Sequence, residues 1–117
     1  MKFALITVVL LSSIGLVNVA NAANAEKGKA LVEKANCASC HGPGYKEVIL
    51  PIYPKLAGQY ADYLYYALKA YKVGGSNAQY GRNNAIMGSQ VQTLSDADMQ
   101  DIAAYLASLP GNFVVKK

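Results

Sequence analysis

Two cysteines and a histidine stand together in the segment Cys37-Ala38-Ser39-Cys40-His41. Because residues three apart lie on one face of a helical turn, both thiols can reach the two vinyl groups along one edge of a porphyrin. The histidine follows at once, so its imidazole can serve as an axial ligand of the iron. The spacing C-x-x-C-H is typical of haem attachment, and the chain has no other cysteine or histidine. The segment therefore predicts one covalently bound haem c.

Three other cysteine-based sites fit this segment less well. A structural zinc site needs four ligands, whereas the chain supplies two thiols and one imidazole. A redox-active C-x-x-C of the thioredoxin type lies beside a strand, and the sequence shows no convincing strand pattern. A disulfide between Cys37 and Cys40 would close a very small loop and contribute little stability. Covalent haem attachment remains the best interpretation.

The first 22 residues have the composition of a secretory signal peptide. Lys2 supplies a positive start, an apolar run follows, and Ala20-Asn21-Ala22 matches the small-x-small cleavage pattern. An uncleaved anchor is the alternative, but polar residues interrupt the run and it is short for a membrane span. We therefore predict that residues 1–22 are cleaved, that residues 23–117 form the domain, and that the protein is periplasmic.

Length and charge restrict the possible functions further. Removal of 22 of the 117 residues leaves 95, which is enough for one small domain. A core of that size is marginal on its own, and a haem adds an apolar body against which helices can pack. No basic run is dense enough to indicate nucleic-acid binding. Membrane contact is expected only through a membrane-bound partner.

Helical patterns cover the first half of the predicted domain. Gly28, Leu31, Val32 and Ala35 recur at spacings of three and four, which predicts a helix within residues 23–36. A second helical stretch follows residues 54–59 and extends to residue 71 or 72. Its predicted apolar face consists of Tyr60, Tyr63, Leu64, Ala67, Leu68 and Tyr71.

The last helix has a clear start signal. Ser95 is followed three residues later by Asp98, and Leu94 and Met99 are placed to form a hydrophobic staple. Residues 73–92 are rich in glycine, asparagine and serine with little periodicity, which predicts a long irregular loop. The predicted fold class is all-α, with one domain of three or more helices packed around the haem.

The predicted domain resembles the class I c-type cytochromes, in particular the small soluble monohaem electron carriers of bacteria. The matching motifs, in the family's order, are CASCHG at residues 37–42, PKLAGQ at 54–59, AIM at 85–87, LSDADM at 94–99 and AAYL at 103–106. The first motif is highly specific, and the others are individually weak. The resemblance implies a cytochrome c domain at residues 23–117, with its first and last helices crossing near Gly28 and Tyr105.

The resemblance also assigns roles to individual residues by their positions. Cys37 and Cys40 would form the two thioethers to the haem. His41 would be the proximal iron ligand, and Met87 would be the distal sulfur ligand. Pro54 would accept a hydrogen bond from the ligand histidine through its carbonyl oxygen and so fix the ring.

Position in the sequence also favours Met87 over Met99 as the sulfur ligand. Only Met87 and Met99 remain once the leader is removed. Met99 lies in the first turn of the predicted last helix, where the staple contact explains it as core. Met87 lies in the predicted loop, from which a sulfur can approach the iron opposite His41. Met87 is therefore predicted to be the axial ligand.

Iron held by a histidine nitrogen and a methionine sulfur has no open position, so we expect electron transfer and no enzymatic activity. The first hypothesis is a periplasmic one-electron carrier between respiratory or dehydrogenase partners. A haem subunit of a larger oxidoreductase would have the same site and stays open. A ligand-binding or peroxidatic haem protein is the third hypothesis, although the chain has no second histidine for acid–base chemistry.

Overall fold

The computed structural model describes residues 22–113, so the predicted leader lies outside the described range except for its last residue. The described residues form five α-helices: α1 Ala25–Lys34, α2 Ala38–His41, α3 Ala61–Val73, α4 Ala85–Val91 and α5 Asp96–Ser108. Short 3-10 turns follow α2 and α3, at Pro43–Tyr45 and Gly74–Ser76. These residues contain no strand, which confirms the all-α prediction. None of their helices is long and apolar enough to cross a membrane.

Helices α1 and α5 cross at Gly28. A Cβ atom at Gly28 would lie 2.0 Å from the carbonyl oxygen of Asp101 and 3.0 Å from the backbone nitrogen of Ile102. Only glycine therefore allows the two backbones to come this close. The contact lies one helical turn before Tyr105, the residue of α5 at which the resemblance placed the crossing.

Replacing Gly28 by alanine will destabilise the folded protein, because the backbones of α1 and α5 must move apart to admit the methyl group. Overpacking costs about 1–3 kcal/mol. Here the cost should lie near the upper end of that range, because the clash is with backbone atoms, which cannot rotate away as a side chain can. This cost is partly offset because alanine is about 1 kcal/mol more favourable than glycine inside a helix. We expect a net loss of about 1–2 kcal/mol in the free energy of unfolding, measured by guanidinium denaturation.

Gly88→Ala is the matched control for this substitution. A Cβ atom at Gly88, in α4, would have only the carbonyl oxygen of Tyr71 nearby, at an ordinary 3.7 Å. Its stability should equal or exceed that of the wild type, because helix propensity improves without a clash. Equal stability of Gly28→Ala and the wild type would contradict the close crossing.

The first turn of α5 confirms the predicted start signal. The backbone N–H of Asp98 donates to Ser95 Oγ at 3.1 Å, and the backbone N–H of Ser95 donates to Asp98 Oδ2 at 2.9 Å. This second hydrogen bond lowers the pKa of Asp98, so its carboxylate stays ionised at neutral pH. Lys27 of α1 lies 3.3 Å from the same carboxylate. The ion pair helps to hold the first helix against the last.

The core lies where α5 packs against both α1 and α3. Its buried cluster consists of Val32, Tyr45, Ala57, Leu64, Ile102, Ala103 and Leu106. Tyr45 and Tyr105 meet edge to face, with ring centroids 6.3 Å apart. Burial raises the pKa of Tyr45 to about 12, so its phenol is neutral at physiological pH.

The prediction of an irregular loop over residues 73–92 is wrong for the second half of that range, where the chain forms α4. The side-chain oxygen of Asn84 accepts a hydrogen bond from the backbone N–H of Met87 at 2.9 Å and caps this helix. The helix has 7 residues and contains Gly88, so hydrophobic periodicity could not reveal it. The structure therefore places the candidate sulfur ligand on a capped helix that packs against α3.

The predicted apolar face of α3 is only partly buried. Leu64 belongs to the core and Tyr71 is half-buried, but Tyr60 is 70% exposed and Tyr63 is 52% exposed. Tyr60 lies before the first residue of α3, so the helical repeat does not determine whether its side chain is buried. The ring of Tyr63 lies at the surface, 5.6 Å from the guanidinium carbon of Arg82. A cation therefore stacks on an aromatic ring that the pattern assigned to the apolar face of α3.

Candidate functional site

The C-x-x-C-H segment folds as the short helix α2, with Cys37 as its N-cap residue. The turn from α1 is made at Asn36, whose φ of 53° is a conformation that asparagine tolerates. The backbone N–H of Cys37 donates to the carbonyl oxygen of Val32 at 3.1 Å, which ties α2 to the end of α1. Both cysteines are unpaired and half-buried, and both line the same cavity.

The surroundings of the two thiols differ. Burial raises the pKa of Cys37, and the neighbouring Cys40 raises it further, so Cys37 is a neutral thiol at pH 7. The neighbouring Cys40 raises the pKa of Tyr53. The Tyr53 ring lies 6.3 Å from the ring of His41 and lines the same cavity as the thiols. Tyr53 is thus a further wall of the site that no sequence pattern marked.

His41 is buried, with 6% of its surface exposed, and Pro54 fixes the orientation of its ring. The distance from His41 Nδ1 to the carbonyl oxygen of Pro54 is 2.9 Å. Because a carbonyl oxygen only accepts, Nδ1 carries the hydrogen and Nε2 is left with a lone pair that can bind a metal. Gly42 makes the tight turn that follows, since a Cβ atom there would lie 1.7 Å from the carbonyl oxygen of Glu47.

Two adjoining cavities, of about 280 and 450 Å³, lie beside the motif. Both are lined by His41, Pro54, Leu56, Leu68, Tyr71, Met87 and Leu106. Only the first is lined by Cys37 and Cys40, and most of its other walls are aliphatic. Together the two cavities form one apolar cleft between the helices, which we call the cofactor cleft. A cleft of this kind suits a flat apolar cofactor.

The two candidate sulfur ligands occupy different places. Met87 is half-buried in α4 and lines both cavities together with His41. Met99 is 3% exposed in α5 and lines neither cavity. Helix α4 therefore brings the sulfur of Met87 to the same cleft as the imidazole.

Three polar residues of the second cavity were not predicted from the sequence: Lys55, Gln59 and Arg82. The backbone N–H of Arg82 donates to the carbonyl oxygen of Ala70 at 2.9 Å, which holds the loop against α3. A hydrogen bond with Tyr63 raises the pKa of the Arg82 guanidinium, so it is charged at every physiological pH. Arg82 lies in an aperiodic stretch of the chain, and no local signal marks its role.

The chemistry of the cleft fits haem c. Two thiols, an imidazole with a free Nε2 and a thioether line one apolar space, and these are the groups that attach and ligate this cofactor. A structural zinc site needs four ligands, whereas the cleft offers two thiols and one imidazole, so zinc fits these residues less well.

Comparison with known proteins agrees with the fit to haem. The family model for cytochrome c matches residues 25–110. Cytochrome c-554(548) of Halomonas halodenitrificans is 46% identical over 72 residues, which cover 62% of this chain and 82% of that protein. Cytochrome c4 of Stutzerimonas stutzeri is 39% identical over 111 residues, which cover 92% of this chain and 51% of that protein.

A solved structure shows the same fold. Reduced recombinant cytochrome c4 from Pseudomonas stutzeri superposes with a TM-score of 0.68 and 39% sequence identity, over 78% of this chain and 48% of that one. The chain thus spans about half the length of the cytochromes c4 that it matches. It belongs to the cytochrome c family, whose members carry electrons on covalently bound haem c.

Proposed function

We propose that the chain is a periplasmic one-electron carrier that holds a single haem c. In this proposal Cys37 and Cys40 form the thioethers, and His41 and Met87 are the axial ligands. The observation that supports it most is that both thiols, the buried imidazole and the thioether line one apolar cleft. A haem with these ligands supplies reversible one-electron exchange at an iron with no open position.

The residues around the cleft suit electron transfer. Pro54 holds the His41 ring through the 2.9 Å contact, and most other walls of the first cavity are aliphatic. Ile52 is 79% exposed and Ile86 is 56% exposed, and both belong to the lining of the cavity that contains the cysteines. Exposed apolar side chains at the edge of a redox site favour small, short-lived contacts with partner proteins. The proposed partners are electron donors and acceptors of respiratory or dehydrogenase systems.

Export and cleavage are part of the same proposal. The leader pattern supports removal of residues 1–22, which leaves residues 23–117 as the cytochrome c domain. Intact mass spectrometry of protein isolated from the periplasm should show a chain that begins at Ala23 and carries one haem. A chain that retains residue 1 would contradict the cleavage.

Covalent attachment predicts that the haem survives acidic acetone extraction and denaturing electrophoresis. The Cys37→Ala, Cys40→Ala double variant should lose this resistance completely, because each thioether needs its own sulfur. Ser39→Ala is the matched control within the motif. Its hydroxyl donates to the carbonyl oxygen of Asn36 at 2.8 Å and lies 3.9 Å from Cys40 Sγ. Because neither contact is needed to form a thioether, haem retention should be unchanged. Extraction of all haem from the wild type would refute covalent attachment.

A haem subunit of a larger oxidoreductase is the second candidate. It is favoured by one observation, that the chain matches only about half of the cytochrome c4 of Stutzerimonas stutzeri, so a domain of this kind occurs within a longer protein. Size-exclusion chromatography of the native periplasmic extract separates the two candidates. A free carrier elutes at the size of one small domain, whereas a subunit elutes with a catalytic partner.

A further inference from the structure

One end of the cofactor cleft is polar. Seven residues line the second cavity but not the first: Lys55, Gln59, Tyr63, Leu64, Ala67, Arg82 and Phe113. Every polar side chain among these seven can donate a hydrogen bond, and two of them are cations. No aspartate or glutamate lines either cavity. The cleft therefore has a cationic end, formed by Lys55, Gln59, Tyr63 and Arg82, and both cysteines lie outside it.

Arg82 is the best-positioned cation at this end. Its guanidinium carbon lies 5.6 Å from the ring centroid of Tyr63 and 5.4 Å from that of Tyr71, so the charge is stacked between two aromatic faces. Its Nη2 lies 3.3 Å from Tyr63 Oη. The ion pairs formed among residues 22–113 do not include Arg82. A guanidinium has five N–H donors, so most of them remain available to a ligand.

Gln59 adds a second donor. Its side-chain oxygen accepts a hydrogen bond from the backbone N–H of Tyr60 at 2.9 Å, which leaves the amide nitrogen to donate. The cationic end thus combines a fixed guanidinium with further donors in a partly closed, otherwise apolar cleft. An anion with oxygen acceptors is the ligand that this chemistry recognises.

We propose that Arg82, held between Tyr63 and Tyr71, binds a carboxylate of the haem and so orients the cofactor in its cleft. This inference rests on the proposed function. The vinyl groups and the two carboxylates of haem lie on different edges of the porphyrin. Attachment of the vinyl edge at Cys37 and Cys40 would therefore direct the carboxylates away from the thiols, and the residues of the cationic end would supply the donors. A carboxylate in an apolar cleft needs such a partner.

Arg82 acts here as a positioning residue, and it also influences the iron electrostatically. A positive charge near the haem disfavours the ferric state, which carries one more positive charge than the ferrous state. Neutralisation of a haem carboxylate by the guanidinium acts in the same direction. Loss of Arg82 should therefore shift the equilibrium toward ferric haem and lower the reduction potential.

The test compares Arg82→Gln, Arg82→Lys and wild-type holoprotein by spectroelectrochemical titration. Arg82→Gln should shift the ferric–ferrous equilibrium roughly tenfold toward ferric, which is about 59 mV for one electron. Arg82→Lys keeps the charge but not the planar fork, so its shift should be smaller. Lys69→Gln is the matched control, because Lys69 lies on α3 but lines neither cavity of the cleft. Its equilibrium should change less than twofold.

A second measurement distinguishes carboxylate binding by Arg82 from a purely structural role of this residue. Redox-induced infrared difference spectra, with ¹³C in the haem carboxyl groups, identify the carboxylate stretching bands. Arg82→Gln should move one of these bands, and Lys69→Gln should leave them in place. If Arg82→Gln does not accumulate as holoprotein, Tyr63→Phe replaces it, since it removes the hydroxyl group that contacts Nη2 and keeps the ring. Tyr63→Phe should move the same band by a smaller amount.

The outcomes distinguish this inference from the proposed function. A wild type without covalent haem refutes the proposed function itself. Covalent haem in every variant, with unchanged bands and less than a twofold change in the equilibrium for Arg82→Gln, overturns only the role of Arg82. Unchanged bands in Tyr63→Phe overturn it where Arg82→Gln cannot be prepared.

Discussion

Replacing Met87 by alanine will remove the proposed sulfur ligand of the iron. Met87 lines both cavities of the cofactor cleft together with His41, and alanine leaves a vacant position because its methyl group cannot bind a metal. The ferric protein should lose the weak far-red absorption band of a sulfur–iron bond. The reduction potential should fall, and the ferrous protein should bind carbon monoxide. Visible spectra and a redox titration of the holoprotein measure all three.

Met99→Leu is the control for the Met87 substitution. Met99 is buried in α5 outside the cleft, and leucine conserves its volume. The far-red band, the potential and the resistance to carbon monoxide should be unchanged, at a cost below about 1.5 kcal/mol in stability. The reverse pattern would move the ligand to Met99. Ready binding of carbon monoxide by the wild type would instead favour a ligand-binding haem protein.

The chain without haem will not fold cooperatively. The cofactor cleft separates helices that otherwise share only a small core, and an apolar cavity left unfilled is costly. A small domain is stable by only about 5–15 kcal/mol, so loss of the apolar contacts that the haem would make along this cleft is expected to abolish cooperative folding.

Circular dichroism tests this expectation on protein expressed in the cytoplasm without haem attachment. The apoprotein should show a weak helical signal and a broad thermal transition without a cooperative midpoint. The holoprotein, measured in the same buffer, should be helical and should melt cooperatively. A fully helical apoprotein with a sharp transition would show that the helices pack without the cofactor.

The parts of the fold that were predicted correctly have strong local signals. The capping box of Ser95 and Asp98 is satisfied by contacts within one turn, so the sequence alone locates the start of α5. The first helix is revealed by its apolar spacing. Gly28 can approach α5 closely because glycine has no side chain. The family resemblance, and not the local sequence, indicated that the last helix is the one it meets. Local chemistry and family resemblance together therefore predicted the α1–α5 crossing.

The parts that were missed depend on tertiary contacts. Helix α4 is too short for periodicity to detect, and it is stabilised by the Asn84 cap and by packing against α3. Tyr63 is 52% exposed and stacks with Arg82, 19 residues further along the chain. No local pattern links these two residues. Sequence reasoning therefore indicated the residues for haem attachment but not the cationic end of the cleft.

A visible and near-infrared spectrum of the exported wild-type protein tests the central proposal most directly. The proposal predicts one covalently bound haem per chain, a far-red sulfur–iron band in the ferric state, and no spectral change when carbon monoxide is added to the ferrous state. These features together require thioether attachment and two protein ligands on the iron. A protein that lacks the far-red band and binds carbon monoxide would contradict ligation by Met87, and with it the role of electron carrier.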